Sequence, residues 1–137
     1  MARKTDAYVD TSALIAFADR SDSFHPLFRR LFAAPPPVLL TTPMVVAEGH
    51  GWFLKRYDRY RALQFLAMVE TMPLTAVAID ADGQRAAAAI LRRFSDQDLT
   101  MVDAVGLHVM AAKRAAACWS TDFHLGVTGV PLVIHGG

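Results

Sequence analysis

A three-layer α/β/α domain around a central, mainly parallel sheet is the architecture this sequence predicts. Three observations lead there. Short apolar runs alternate along the chain with longer stretches of helical character. Those runs do not switch between apolar and polar residues, which is how strands read when helices cover both faces of a parallel sheet. The 137 residues read as one domain, 1–137, and with 53% apolar side chains they can fill a hydrophobic core and leave apolar surface for an interface.

Residues 7–9 are a buried strand that stops at Asp10. Residues 13–19 follow as a helix, with Thr11 or Ser12 as its cap, because a hydroxyl there accepts a free first-turn N–H. A second short helix begins near His25-Pro26, where proline suits the first turn, and carries Leu27, Phe28, Leu31 and Phe32. Pro35, Pro36 and Pro37 end it. Residues 38–41 are the second strand. Thr42-Pro43 opens a helix running to residue 57, in which Gly49, His50 and Gly51 read as an interruption, since glycine is a poor helix former. Residues 59–72 form a helix with Leu63, Leu66, Val69 and Met72 on one apolar stripe, closed by Pro73. Residues 74–79 are rich in branched side chains and read as the third strand. An alanine-rich helix over 80–94, an acidic loop over 95–99 and a helix over 100–116 follow, and then strands over 117–120 and 130–134.

Composition excludes several function classes. No apolar run approaches the ~18 residues of a membrane span. Residues 1–6 are short and polar, without the apolar stretch of a signal peptide. One cysteine, Cys118, makes neither an internal disulfide nor a thiolate zinc cage. These features point to the cytoplasm. Five histidines show no zinc-type HxxxH or HxxH spacing. The net charge of +1 decides nothing, but 11 of the 13 acids are Asp. A solvated helical surface would use Glu freely, so the excess points to caps, loops and metal sites.

Four acids stand where a parallel sheet binds ligands, at the carboxyl ends of strands and near the helix starts beside them. Asp10 ends the first strand and Asp122 follows Trp119-Ser120-Thr121. Glu48 lies in MVVAEGHGW and Asp103 in LTMVDAVGL. Each has a plain structural reading as well. Asp10 serves as a cap, Asp103 pairs with Thr100 in a capping box, Glu48 joins an ion pair, and Asp122 sits in a turn. Asp103, however, shares the inward helix face with Gly106, Leu107 and Met110. Together the acids are costly: apolar surroundings penalise unpaired carboxylates, and neighbouring carboxylates repel. A divalent cation relieves both costs, and all-oxygen ligands suit Mg²⁺ or Mn²⁺. Such an ion polarises water beside a phosphate, the chemistry of phosphodiester hydrolysis.

The segments YVDTSALIAFAD, SDSFHPLF, TTPMVVAEGHGWFL, DQDLTMVDAVGLHVM and WSTDFH, in this order, resemble the PIN-domain nucleases. Within them the chain resembles the VapC-like toxins of bacterial toxin–antitoxin pairs, over nearly its whole length. The resemblance assigns Asp10, Glu48, Asp103 and Asp122 to a metal-binding catalytic quartet, with Asp10 and Asp103 as the firmest ligands and Asp96 as an outer acid. It implies an endoribonuclease using Mg²⁺ or Mn²⁺ that leaves 5′-phosphate and 3′-hydroxyl ends. It also implies a small antitoxin partner and a homodimer.

Around these acids, Thr11, Ser12 and Thr121 offer hydroxyls for capping or for orienting a phosphate. His25 reads as a loop anchor, His124 as a turn residue, and Trp52 and Phe53 as core. Of the paired basic residues, 55–61 with Tyr57 and Tyr60 interleaved is the best RNA contact. Two rivals stand beside the nuclease. One is a phosphatase using Asp10 as phosphoryl acceptor, which wants a second Asp two residues on, where Ser12 stands. The other is a non-catalytic RNA-binding or protein-interaction domain, which gains nothing from clustered negative charge near RNA.

Overall fold

The computed structural model describes residues 6–134. Four strands, β1 (Ala7–Val9), β2 (Leu39–Thr41), β3 (Leu74–Ala76) and β4 (Ala117–Trp119), form a parallel sheet in the order β3-β2-β1-β4. Six helices connect them: α1 (Thr11–Ala18), α2 (His25–Ala33), α3 (Pro43–Arg56), α4 (Arg59–Thr71), α5 (Ala81–Arg93) and α6 (Met101–Lys113). The predicted α/β/α class with a parallel sheet is therefore the observed one. A 3-10 turn, Phe123–Gly126, follows β4.

The topology positions the site. From β1 the chain steps outward to β2 and then β3, and afterwards returns to place β4 on the other side of β1. The strand order thus reverses between β1 and β4, and the crevice beyond the carboxyl ends at such a reversal is where open α/β sheets bind ligands. Val9 and Trp119 are register partners there, and the Asp10 N–H donates to the Trp119 carbonyl at 3.0 Å.

The core runs through Tyr8, Leu14, Phe28, Leu39, Phe53, Phe65, Leu107 and Met110, all buried. Two glycines let it close. A side chain at Gly49 would collide with the Phe65 ring, and one at Gly106 would come within 2.9 Å of the Tyr8 ring. Gly49 thus lets α3 meet α4, and Gly106 lets α6 lie against β1.

Several expectations need correction. Gly49, His50 and Gly51 do not interrupt α3, which runs unbroken, because burial against α4 outweighs the glycine penalty. In α4 the expected stripe holds for Leu66, Val69 and Met72, which pack half-buried against the core, but Leu63 is 53% exposed and the fully buried residues are Ala62 and Phe65, so the inward face is centred nearer those two. Strand β3 ends at Ala76, since β2, its neighbour, ends at Thr41. It lies at the sheet edge and is largely exposed, so both faces are not covered there. Helix α6 stops at Lys113, where Arg114 takes a left-handed conformation (φ 53°). The expected strand over 130–134 is reduced to one parallel bridge between Leu132 and Cys118, because Pro131 has no N–H to extend a ladder. The reading of residues 1–6 falls, but for Asp6, outside the described residues. Among the described residues no helix is long and apolar enough to cross a membrane.

Candidate active site

Asp10, Glu48, Asp103 and Asp122 line one cleft of about 320 Å³, with Thr11, Ser12, Ile15, Trp52 and Thr100 completing its wall. Four separate stretches of sequence therefore meet at the strand-order reversal.

Asp10 is only 5% exposed and is held from three sides. It caps α1, its plain structural reading in the sequence, in place of Thr11 or Ser12: a carboxylate in extended backbone just before the helix accepts a free first-turn N–H, that of Ser12, as readily as a hydroxyl does. Its Oδ2 accepts from the Ser12 N–H at 3.4 Å, the Ser12 hydroxyl at 3.0 Å and the Ser120 hydroxyl at 3.0 Å. Burial, with the charge of Asp103 adding to it, pushes its pKa up to about 6 against the bonds from Thr11, Ser12 and Ser120. Burial likewise pushes the Cys118 thiol up, with Asp10, Asp122 and Asp103 adding to it.

Asp103 fills two descriptions at once. Its Oδ2 accepts from the Thr100 N–H at 3.0 Å, and its own N–H donates to Thr100 Oγ1 at 3.1 Å, a complete capping box. It also lies on the buried face of α6, 8% exposed, and opens on the cleft. Glu48 is exposed on α3. The one Lys or Arg ion pair among the described residues is Arg85 with Asp82, so the ion pair expected for Glu48 is absent from this set.

Asp122 is tied to Asp10 through Ser120. The Asp122 N–H donates to Ser120 Oγ at 2.9 Å, and Ser120, fully buried, donates onward to Asp10. Ser12 makes a parallel link, since the Thr121 N–H donates to its Oγ at 3.0 Å. Asp122 Oδ1 in turn accepts from the His124 backbone N–H at 3.0 Å and from Nδ1 at 2.8 Å.

Three residues were missed or undervalued in the sequence. Ser120 had only strand character to mark it. Trp52, read as core, does pack against the core and also stands on the cleft wall. His124 read as a turn residue but bonds a cleft acid. Asp96 is exposed and does not line the cleft. His25 does anchor a loop, its Nδ1–H donating to the Ala16 carbonyl at 2.8 Å. In the 55–61 segment, Tyr57 donates to Asp19 at 2.7 Å and Arg61 lies 4.3 Å from the Tyr57 ring centroid, so both are engaged internally. Lys55, Arg56, Arg59 and Tyr60 remain exposed.

The donor set is all oxygen, which matches a hard divalent cation. The buried Thr11 Oγ1, at the cleft wall, has no hydrogen-bond partner, so a polar guest has an oxygen to meet. Among the described residues no three His, Cys, Asp or Glu side chains are gathered closely enough to hold an ion as they stand.

Residues 7–128 match the sequence family described as the PIN domain. A 23S rRNA-specific endonuclease, VapC20, from two strains of Mycobacterium tuberculosis is 29% identical over 124 residues, covering 89% of this chain and 93% of that protein. The crystal structure of Mycobacterium tuberculosis VapC20, described as a sarcin-ricin loop cleaving toxin, superposes with a TM-score of 0.84 at 26% identity, over 90% of this chain and 95% of that one. A toxin–antitoxin complex from Klebsiella pneumoniae matches with a TM-score of 0.63 at 19% identity, over 93% of this chain and 95% of that one. VapBC2 from Rickettsia felis, bound to a promoter DNA fragment, matches with a TM-score of 0.66 at 11% identity, over 93% and 96%. These last two share the fold.

Proposed function

Since the chain belongs to the PIN-domain family, we propose that it is a Mg²⁺- or Mn²⁺-dependent endoribonuclease, the toxin of a toxin–antitoxin pair working in the cytoplasm. The observation that carries this reading is the convergence of Asp10, Glu48, Asp103 and Asp122 on one cleft at the reversal of strand order. The 29% identity to a 23S rRNA endonuclease supports ribosomal RNA, in a loop, as the substrate class. A bound cation would supply charge against the phosphate and a more acidic water. Asp10 and Asp103 are the residues we assign to hold it directly, with Glu48 and Asp122 acting directly or through waters. Ser12 and Ser120 fix the Asp10 carboxylate, and Ser120 couples it to Asp122. Trp52 and Ile15 give the cleft its apolar wall.

For partners we propose a small antitoxin that sets an arginine against the acids, since a guanidinium pairs bidentately with carboxylates, and a second copy of this chain. The rival phosphatase reading wants a second Asp two residues after Asp10, where Ser12 stands and instead donates to the Asp10 carboxylate. The test is cleavage of ribosomal RNA by wild type, Asp10→Asn and Asp103→Asn, with and without chelator, each variant shown folded by circular dichroism. Chelator should stop the wild type, Mn²⁺ should restore it, and each variant should lose roughly 10²-fold or more of the rate. Cleavage surviving both chelator and the double substitution means that the metal-nuclease reading is wrong.

A further inference from the structure

A second groove, about 470 Å³, is lined chiefly by residues that follow directly on Asp122 in the chain, and none of the four acids lines it. Its wall carries Phe123, His124, Gln97, Val127, Pro131 and Leu132 among others. Phe123 is 69% exposed, an unusual state for a phenyl ring. It is nonetheless held in place: its ring stacks on the His124 imidazole, centroids 4.8 Å apart and planes 26° apart. His124 is held in turn by Asp122, which accepts from both its Nδ1–H and its backbone N–H. A flat π surface is thus tied, through consecutive residues, to an acid of the cleft.

We propose that this groove is a nucleobase subsite, in which Phe123 stacks on a base next to the scissile phosphate and the Gln97 amide meets that base's polar edge. The inference rests on the ribonuclease reading above and names the substrate group it would grip. A nucleobase has apolar faces and a donor–acceptor rim; the groove offers an aromatic face, aliphatic walls and one amide, which is the matching chemistry. Continuity favours RNA over a protein side chain. A strand that leaves the cleft past Asp122 meets Phe123, the next residue along the chain. Recognition of this kind requires a base turned out of its stack, which loops permit and continuous duplex resists.

The probe is a stem-loop RNA that the wild type cleaves, prepared intact and with an abasic nucleotide on either side of the cleavage position. Binding is measured in the Asp103→Asn background so that the RNA survives. Loss of the stacked base should weaken binding about tenfold at one of the two positions. Phe123→Ala should weaken the intact RNA by the same factor and then be indifferent to the abasic change. Phe123→Tyr should behave as wild type. Phe123→Leu keeps apolar volume without the ring and should behave as Phe123→Ala, so the result does not depend on one variant's folding. Equal affinities for intact and abasic RNA at both positions, with Phe123 present, overturn the subsite. So does a Phe123→Ala protein that binds RNA normally but releases a co-expressed antitoxin, which would make the groove a protein surface. If the wild type cleaves no RNA in Mn²⁺, the ribonuclease reading itself fails, and the subsite falls with it; cleavage without a Phe123 effect removes the subsite alone.

Discussion

Burial and hydrogen bonding act on Asp10 in opposite directions, and burial wins. Its carboxyl is raised from 3.8 to about 6, first by desolvation, with the Asp103 charge adding, against three hydrogen-bonding neighbours. A raised folded-state value has a definite sign. Below pH 4 both folded and unfolded chains hold the proton, and the metal-free protein is unpenalised. Between pH 4 and 6 the unfolded chain releases the proton while the folded one keeps it, so stability falls as pH rises. Above pH 6 the loss is complete, on the order of 3 kcal/mol. Urea unfolding in chelator across pH 4.5–7.5 should show this decline in wild type, and Asp10→Asn should remove it while keeping the side-chain shape. The Asp19 carboxyl behaves otherwise: burial alone would raise it, but bonds from Tyr57 and Ser21 and the charge of Arg61 hold it below its usual range, and it contributes equally to both proteins. Parallel slopes in wild type and variant would mean that Asp10 is not the strained carboxyl. That the four acids meet in one cleft was legible in the sequence, from strand ends and helix starts taken together with the family resemblance that assigns them as one set. Ser120 was not, since its role depends on β4 lying beside β1, a pairing across 110 residues of separation from Asp10 that no local pattern encodes.

At the scale of the element, neighbouring glycines of α3 make opposite predictions. Glycine in a helix interior costs about 1 kcal/mol relative to alanine, so propensity alone makes either replacement stabilising. At Gly51 nothing lies within 4 Å of a new Cβ, and Gly51→Ala should stabilise by up to about 1 kcal/mol. At Gly49 the new methyl would strike the Phe65 ring, which is 2% exposed and stacked on Phe53 with centroids 5.2 Å apart. The ring has nowhere to go, and overpacking of that kind costs about 1–3 kcal/mol, more than the propensity gain. Gly49→Ala should therefore destabilise, and adding Phe65→Leu should recover part of the loss. Denaturation midpoints of the single and double variants check this; equal signs at the two glycines would show that α4 yields to α3. The same pair explains what could be read of the elements. Helices α2, α3 and α5 were legible because proline, caps and apolar spacing are local. The full burial of Ala62 and Phe65 in α4 and the continuity of α3 were not, because both depend on where Phe65 docks. Strand β3 and the lost last strand failed for a related reason: strand length is set by the partner, and β2 ends at Thr41 while Pro131 withholds a donor.

For the whole molecule, the reversal of strand order gathers negative charge that no basic side chain among the described residues balances by an ion pair, His124 beside Asp122 apart. Such a molecule should be more stable with its cation than without. A ligand that binds only the folded state stabilises it by about 2.7 kcal/mol at a hundredfold excess over its dissociation constant. At roughly 3 °C per kcal/mol for a domain of this size, that is a rise of about 8 °C in Tm. Mg²⁺ or Mn²⁺ titrated against wild type at pH 7.5 should produce a saturable rise of this order. At pH 5 the rise should shrink, because the Asp10 carboxyl, raised to about 6, then holds a proton in competition with the ion. Asp103→Asn should keep its capping contacts to Thr100 in part, match or exceed the metal-free wild type, and lose most of the rise. Asp96→Asn serves as the control, since Asp96 is exposed and away from the cleft: its metal response should equal that of wild type. An equal loss in Asp96→Asn would trace the response to the molecule's general charge. A wild-type Tm unmoved by millimolar Mn²⁺ would mean that the four acids do not form a cation site, and the repulsion among them would then have to be relieved by protons on Asp10.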